Sequence, residues 1–193
     1  INRWIMELEK LDGNIIGVIS LDFKLENFNG KKVKEIIVKK VNESLKMVKL
    51  NPDVLDKNFE ELSSREMNKV ILASKLQNKV IILVNFSKGM LKKDLEYFKA
   101  LFKKIGSYGR KIILIDCNAE LFIGLVDHYY VITNQQIKYE TKDAFDRVLE
   151  NYIEMPPIVK FINQCEFEGI RLDHYYELDE LLKAIYRIKS WDT

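Results

Sequence analysis

Short apolar runs alternate along the chain with longer segments in which apolar residues recur at helical spacing. Three β-branched-rich runs, at residues 15–20, 80–84 and 111–115, predict strands buried on both faces. Two further runs, at residues 129–133 and 136–139, predict a pair of edge strands joined by a turn. Because strands alternate with helical segments, the pattern predicts an α/β domain with a mostly parallel sheet.

Apolar positions near a 3.6-residue period predict helices between and after the strands. The predicted helices cover residues 33–50 (as one helix or two), 66–77, 91–105, 120–126, 158–165 and 178–188. Thr141 is expected to cap a further helix that reaches Tyr152.

The Pro156-Pro157 pair is the strongest punctuation mark in the chain. It predicts a main domain over residues 1–152, with a helical insertion at about residues 31–77, followed by a helical C-terminal extension over residues 153–193.

The composition is that of a globular protein, with 193 residues, of which 47% are hydrophobic and 31% charged. A net charge of +2 provides no overall field that favours nucleic acid or an anionic membrane. Cys117 and Cys165 form no CxxC pair, which argues against a zinc site and fits a reducing compartment. No apolar run approaches the roughly 18 residues of a membrane span, and we expect no signal peptide.

In a parallel sheet, functional groups gather at the carboxyl ends of the strands. The predicted ends are Leu21-Asp22, Asn85-Phe86 and Asp116-Cys117. Between the first two lies the string LSSREM at residues 62–67, in which Ser63 and Glu66 have the spacing of a helix capping box.

Taken in this order, the segments resemble the ATP-binding subunits of ABC transporters, most closely the energy-coupling-factor and cobalt-importer group. The string at residues 62–67 resembles the family's LSGGE signature, the strand at residues 80–84 stands where Walker B follows, and Gly89 matches the glycine after it. The tail MPPIVKFI resembles the helical C-terminal extension of that group. The resemblance implies a RecA-like, P-loop NTPase-type parallel sheet with a helical insertion and a helical C-terminal extension.

The same resemblance exposes departures from the family's motifs. No GxxxxGK[ST] loop precedes the first predicted strand. The Walker B aspartate falls at Val84, the catalytic glutamate at Asn85, the Q-loop glutamine at Leu21 and the switch histidine at Cys117. Valine cannot bind Mg²⁺, and an amide cannot accept a proton from water. We therefore expect this chain alone to hold no catalytic residue, no metal and no cofactor, and not to act as an enzyme.

Ser63, Ser64, Arg65 and Glu66 have two interpretations. They cap a helix and do nothing more, or they face a nucleotide held by a partner subunit, since the family's signature acts across a dimer. In the second case the partner binds ATP, and Arg65 adds positive charge near its phosphate.

The expected function is that of a non-hydrolytic subunit with a structural or regulatory role in an importer-type transport complex. Its expected partners are a second ABC ATPase-like subunit, in a homodimer or heterodimer, and a membrane transporter component, with no nucleic acid. The expected location is the cytoplasm, at the inner face of the cell membrane. The alternative is an ATP-hydrolysing subunit whose P-loop lies upstream of Ile1, and a weaker third option is an unrelated interaction domain.

Two features remain outside this scheme. Leu178, Leu181, Leu182 and Ile185 form an apolar stripe that either packs on its own domain or mediates dimerisation, which we favour. The string DHYY occurs twice, at residues 127–130 and 173–176, and is interpreted as a chance repeat instead of a metal site.

Overall fold

The structure is a computed structural model that describes residues 2–24 and 26–189. Ile1, Leu25 and residues 190–193 lie outside the described residues, and so do the corresponding ends of the two predicted domains. The helices are α1 (Asn2–Glu9), α2 (Val33–Ile36), α3 (Val41–Val48), α4 (Ser64–Lys75), α5 (Lys92–Ser107), α6 (Ala119–Phe122), α7 (Pro157–Phe167) and α8 (Leu178–Lys189). The strands are β1 (Ile15–Ile19), β2 (Val80–Val84), β3 (Lys111–Ile115), β4 (His128–Thr133) and β5 (Gln136–Thr141).

The described strands form a mixed sheet in the order β2-β3-β1-β4-β5. β1 pairs in parallel with β3 and β4, β2 pairs in parallel with β3, and β5 runs antiparallel to β4. The predicted α/β class with a mostly parallel sheet is therefore confirmed. Because β1, β2 and β3 run in one direction, their carboxyl ends lie at the same edge of the sheet.

The strands differ in how fully the sheet buries them. β1 is buried along its whole length, and in β3 only Lys111 is half-buried. In β2, at the edge of the sheet, Ile81 and Leu83 are buried while Val80, Ile82 and Val84 are half-buried. The prediction that this run is buried on both faces is therefore wrong for one face. The larger core lies on the side of α3, α4 and α5, and a smaller one on the opposite face includes Leu8 of α1.

β4 is an inner strand, contrary to the prediction of two edge strands. It is buried except at Thr133, because it pairs with β1 on one side and β5 on the other.

The helix predicted after Thr141 is also wrong. Thr141 ends β5 opposite Tyr129, and a 3₁₀ helix at Arg147–Asn151, capped by Asp146, follows. Sheet pairing thus outweighs the local preference of threonine for a helix cap.

The other predicted helices are present, but the one predicted over residues 120–126 is only the four-residue α6. The segment from residue 33 to 50 forms two helices, since Lys40 before α3 has φ of 47°, in the left-handed region. Two 3₁₀ helices, Pro52–Asp56 and Phe59–Glu61, connect α3 to α4. Within the described residues, no helix has both the length and the apolar character needed to cross a membrane. The boundaries of the predicted domains stay a prediction.

Candidate functional site

Asp116 joins the carboxyl ends of β2 and β3. Its side chain accepts hydrogen bonds from the Ser87 amide (2.9 Å) and the Ser87 hydroxyl (2.8 Å). It also accepts from the amides of Cys117 (2.9 Å) and Asn118 (3.1 Å). Three of these donors reach Oδ1 and the Ser87 amide reaches Oδ2, so both oxygens of the carboxylate are engaged. Buried and bonded through both oxygens, Asp116 acts as a structural acceptor that holds the loop after β2 against the end of β3.

Asn68 holds the loop after β2 from the other side. Its buried side-chain amide donates to the carbonyls of Asn85 (3.2 Å), Phe86 (3.2 Å) and Lys88 (3.1 Å). A buried amide with three carbonyl acceptors fixes the course of that loop relative to α4. The Asn85 amide in turn donates to the Ile115 carbonyl at 2.7 Å, which ties the loop to β3.

The four positions aligned with hydrolytic residues lie at this edge of the sheet. Val84 ends β2 and borders an apolar cavity of about 480 Å³. Asn85 has φ of 50°, a left-handed conformation that asparagine tolerates better than most residues. The Leu21 residue is 87% exposed. The Cys117 sulfur lies 3.8 Å from the Ser20 carbonyl oxygen.

Cys117 is a poor candidate for a nucleophile. Desolvation of the thiol and then the neighbouring Asp116 carboxylate raise the pKa of Cys117. A raised pKa leaves less of the reactive thiolate at neutral pH. Across the described residues, no group of three His, Cys, Asp or Glu side chains is arranged to hold a metal ion.

The start of α4 has the predicted capping box. The Ser63 hydroxyl oxygen accepts from the Glu66 amide at 3.3 Å, and Glu66 Oε2 accepts from the Ser63 amide at 2.9 Å and the Ser63 hydroxyl at 2.7 Å. The hydrogen bonds from the Ser63 side chain and then its backbone lower the pKa of Glu66. Ser63 and Ser64 are exposed, so the beginning of this 12-residue helix is open to solvent.

Arg65 is tied to the start of α5. Its guanidinium lies 2.5 Å from Asp94 Oδ1, and the other carboxylate oxygen of Asp94 accepts from the Leu91 amide at 3.0 Å. Burial raises the pKa of Asp94, but the bond from Leu91 and the Arg65 side chain outweigh it, and the net pKa lies below its ordinary value. This ion pair offsets part of the positive charge that the sequence interpretation assigned to Arg65.

Gly89 lets the loop after β2 approach the start of α4. It has φ of 78°, and a Cβ at this position would lie 3.2 Å from the Arg65 backbone nitrogen and 3.3 Å from Ser64 Cβ. The glycine therefore permits both the left-handed turn and the close contact.

No protein-family model matches the chain. The chain is 28% identical over 151 residues to the energy-coupling factor transporter ATP-binding protein EcfA2 from three strains of Streptococcus agalactiae, covering 74% of this chain and 54% of each relative. The chain thus spans about half the length of the curated relatives it matches.

Two solved structures share its fold. A bacterial ABC transporter cassette solved as a dimer matches with a TM-score of 0.52 and 18% identity, over 71% of this chain and 66% of that one. An ATP-binding subunit of an ABC transporter matches with a TM-score of 0.54 and 11% identity, over 77% of this chain and 68% of that one. The chain is a homologue of energy-coupling-factor ATP-binding subunits with the ABC ATPase fold.

In this ABC ATPase homologue, the structure brings the aligned positions to two adjoining places. Val84, Asn85 and Cys117 follow β2 and β3, while Ser63 and Arg65 begin α4. The loop held by Asn68 and Gly89 joins the two places.

Sequence reasoning missed the structural roles of Asn68, Asp94 and Asp116. The sequence does contain a signal for Asn68, because this polar residue lies within the apolar pattern of Met67, Val70 and Ile71. Asp116 and Asp94 act through contacts 29 residues away in sequence, to Ser87 and Arg65, which no local pattern indicates.

Proposed function

We propose that this chain is a non-hydrolytic ABC ATPase-like subunit with a structural or regulatory role in an importer-type transport complex. The observation that carries the proposal is the end of β2, where Val84 and Asn85 occupy the positions aligned with the metal-binding aspartate and the catalytic glutamate. Neither side chain carries a charge, so neither balances Mg²⁺ nor takes a proton from water.

The two buried carboxylates that the structure describes near this edge, Asp116 and Asp94, are already engaged within the chain. Asp116, which directly follows β3, accepts four hydrogen bonds from the backbone and side chain around it. Asp94 is engaged by Arg65 and the Leu91 amide. Phosphoryl transfer depends on positioning and charge neutralisation. Loss of a general base alone lowers a rate by about 10² to 10⁴-fold.

Calorimetric titration of the full-length gene product with ATP, with and without Mg²⁺, tests this proposal. We expect any ATP binding to be independent of Mg²⁺, because Val84 supplies no metal ligand. The alternative is an ATPase whose P-loop lies upstream of Ile1. It predicts that Mg²⁺ strengthens the binding of ATP and that the protein releases phosphate from ATP. Mg²⁺-dependent binding that Asn85→Ala weakens, with release of phosphate, would overturn the non-hydrolytic assignment.

The finer part of the proposal concerns the start of α4. Ser63, Ser64, Arg65 and Glu66 complete the nucleotide site of an ABC ATPase-like partner that itself holds ATP, in a complex at the inner face of the cell membrane that includes a transporter component. The exposed start of this helix supports this role, because the first-turn amides of a helix favour anions, although the Glu66 amide donates to Ser63. Glu66 opposes it with a negative charge, although the carboxylate is engaged by Ser63.

A charge added at Ser64 separates capping from nucleotide contact. Ser64→Glu places an acid in the first turn, where it stabilises a helix but repels phosphate. We expect it to lower the ATPase rate of the partner at least tenfold while the thermal stability of this chain is retained. Gln77→Glu, just beyond the other end of α4, is the matched control and should leave the rate unchanged. Equal rates for the two variants would reduce residues 63–66 to a helix cap.

A further inference from the structure

A cavity of about 560 Å³ lies between α5, α6 and the residues that begin α7 and α8. The side chain of Lys99, on α5, forms part of its wall and is half-buried. Lys99 Nζ donates a hydrogen bond to the Glu120 backbone carbonyl at 3.1 Å. In the part of the chain that the structure describes, no carboxylate is close enough to this nitrogen to form an ion pair. The amine is therefore held at the wall of the cavity by a neutral acceptor.

The surroundings of Lys99 favour the neutral amine over the ammonium ion. Desolvation of the side chain lowers the pKa of Lys99, and the positive charge of Lys103 adds to this. Glu120 on α6, Glu177 before α8 and Glu96 on α5 itself act in the opposite direction, but the net pKa is lowered. A lysine that is desolvated or lies beside another cation becomes a better nucleophile at neutral pH, because more of it is unprotonated.

The cavity distinguishes Lys99 from other lysines of the chain. Burial also lowers the pKa of Lys69, but Lys69 is 6% exposed and its Nζ is bonded to the Lys49 carbonyl at 3.2 Å, so a reagent does not reach it. Lys34 and Lys160 are exposed, but each is paired with a carboxylate, which favours the ammonium ion. Lys99 combines partial desolvation, the lack of an ion pair and free space in front of the amine.

We propose that Lys99 is a modification site that takes an acyl group from an acyl phosphate. The unprotonated amine attacks the carbonyl carbon, so that a C–N bond forms and the C–O bond to phosphate breaks. Inorganic phosphate leaves with the electron pair, and the proton lost by the nitrogen passes to water. The cavity accommodates the acyl group, and the N–H of the new amide remains a donor for the Glu120 carbonyl. This inference is independent of the non-hydrolytic role.

Acylation at this position changes the charge between the core and the C-terminal helices. The ammonium form of Lys99 attracts Glu120 and Glu177, which lie on opposite sides of the cavity wall formed by α5. The amide carries no charge, so this attraction is lost. The modification therefore weakens one electrostatic link between α5 and the residues that lead into α8.

The rate of acetylation at each lysine is measured by incubating the protein with acetyl phosphate and mapping its peptides by mass spectrometry. Lys93, exposed on the same helix, is the internal comparison. We expect the folded protein to be acetylated at least about fivefold faster at Lys99 than at Lys93. In guanidinium chloride the cavity is lost, so the two rates should become equal. A rate at Lys99 no higher than that at Lys93 in the folded protein overturns the proposal.

Two exposed charges near the amine supply variants with opposite expected effects. Lys103→Gln removes a cation that disfavours the ammonium form, so it should lower the rate at Lys99 by about twofold. Glu120→Gln keeps the backbone carbonyl but removes a carboxylate that favours the ammonium form, so it should raise the rate by about twofold. Circular dichroism should show an unchanged fold for both. Rates at Lys99 that do not respond, or that change equally at Lys93, would show that the cavity does not set the reactivity and would also overturn the proposal.

Discussion

The loop after β2 and the side chains at the strand ends differ in how tightly the rest of the structure holds them. The loop is held by buried hydrogen bonds from Asn68 and to Asp116, and by the close approach of Gly89 to α4. Leu21 and Cys117 are exposed, and they make few or no specific contacts. The shape of this edge of the sheet is thus stabilised largely by side chains other than those of the four aligned positions. Their side chains are therefore expected to contribute little to the stability of the fold.

The largest expected loss of stability comes from removing the Asp116 carboxylate, which anchors the loop after β2. Asp116→Ala leaves the Ser87 hydroxyl and three amides without their acceptor, and we expect the free energy of unfolding to fall by about 3 kcal/mol. Asp116→Asn retains one acceptor oxygen, so its free energy of unfolding should lie between those of Asp116→Ala and the parent. Urea denaturation measures all three. A loss below about 0.5 kcal/mol for Asp116→Ala, typical of surface substitutions, would show that the loop does not depend on this carboxylate.

The sequence predicts the regular elements of this site well. The β-branched runs of β1, β2 and β3 and the capping box of Ser63 and Glu66 are local patterns, and each appears where it is expected. The inner position of β4 depends on pairing with β1, more than a hundred residues earlier in the sequence, so its own residues do not reveal it. The same holds for Asp116, because its contact with Ser87 spans 29 residues.

A second prediction addresses the other side of the loop. Asn68→Ala removes the donor shared by three carbonyls, and we expect a loss of about 2 kcal/mol in the free energy of unfolding. Asn78→Ala, an exposed position between α4 and β2, is the control and should change little. Equal losses of unfolding free energy for the two variants would show that the Asn68 side chain does not stabilise the loop.

A third prediction separates backbone strain from close contact. Gly89 and Gly30 have similar φ values, 78° and 81°, but nothing lies within 4 Å of a Cβ added at Gly30. Both Ala variants carry the left-handed strain of about 1–2 kcal/mol. We expect Gly89→Ala to lose roughly 1 kcal/mol more, because its Cβ approaches the Arg65 backbone. Matching melting curves for the two variants would show that this approach costs nothing.

The smallest expected effects lie at the strand ends. Leu21→Ala and Cys117→Ser alter exposed side chains, so each should change the free energy of unfolding by less than about 0.5 kcal/mol. Chemical denaturation of these variants, with Asp116→Ala measured in the same series, compares their free energies of unfolding. A loss of about 2 kcal/mol at either position would mean that these residues also hold the fold, and that the two regions are not distinct.

Steady-state release of phosphate from MgATP by the purified full-length gene product tests the central claim most directly. Val84 and Asn85 belong to that product whatever else it contains. We predict that the rate of phosphate release does not exceed that of a heat-denatured sample. The Asn85→Ala variant should give the same background rate. Sustained release that Asn85→Ala abolishes would contradict the account, because it would make Asn85 part of a working hydrolytic site.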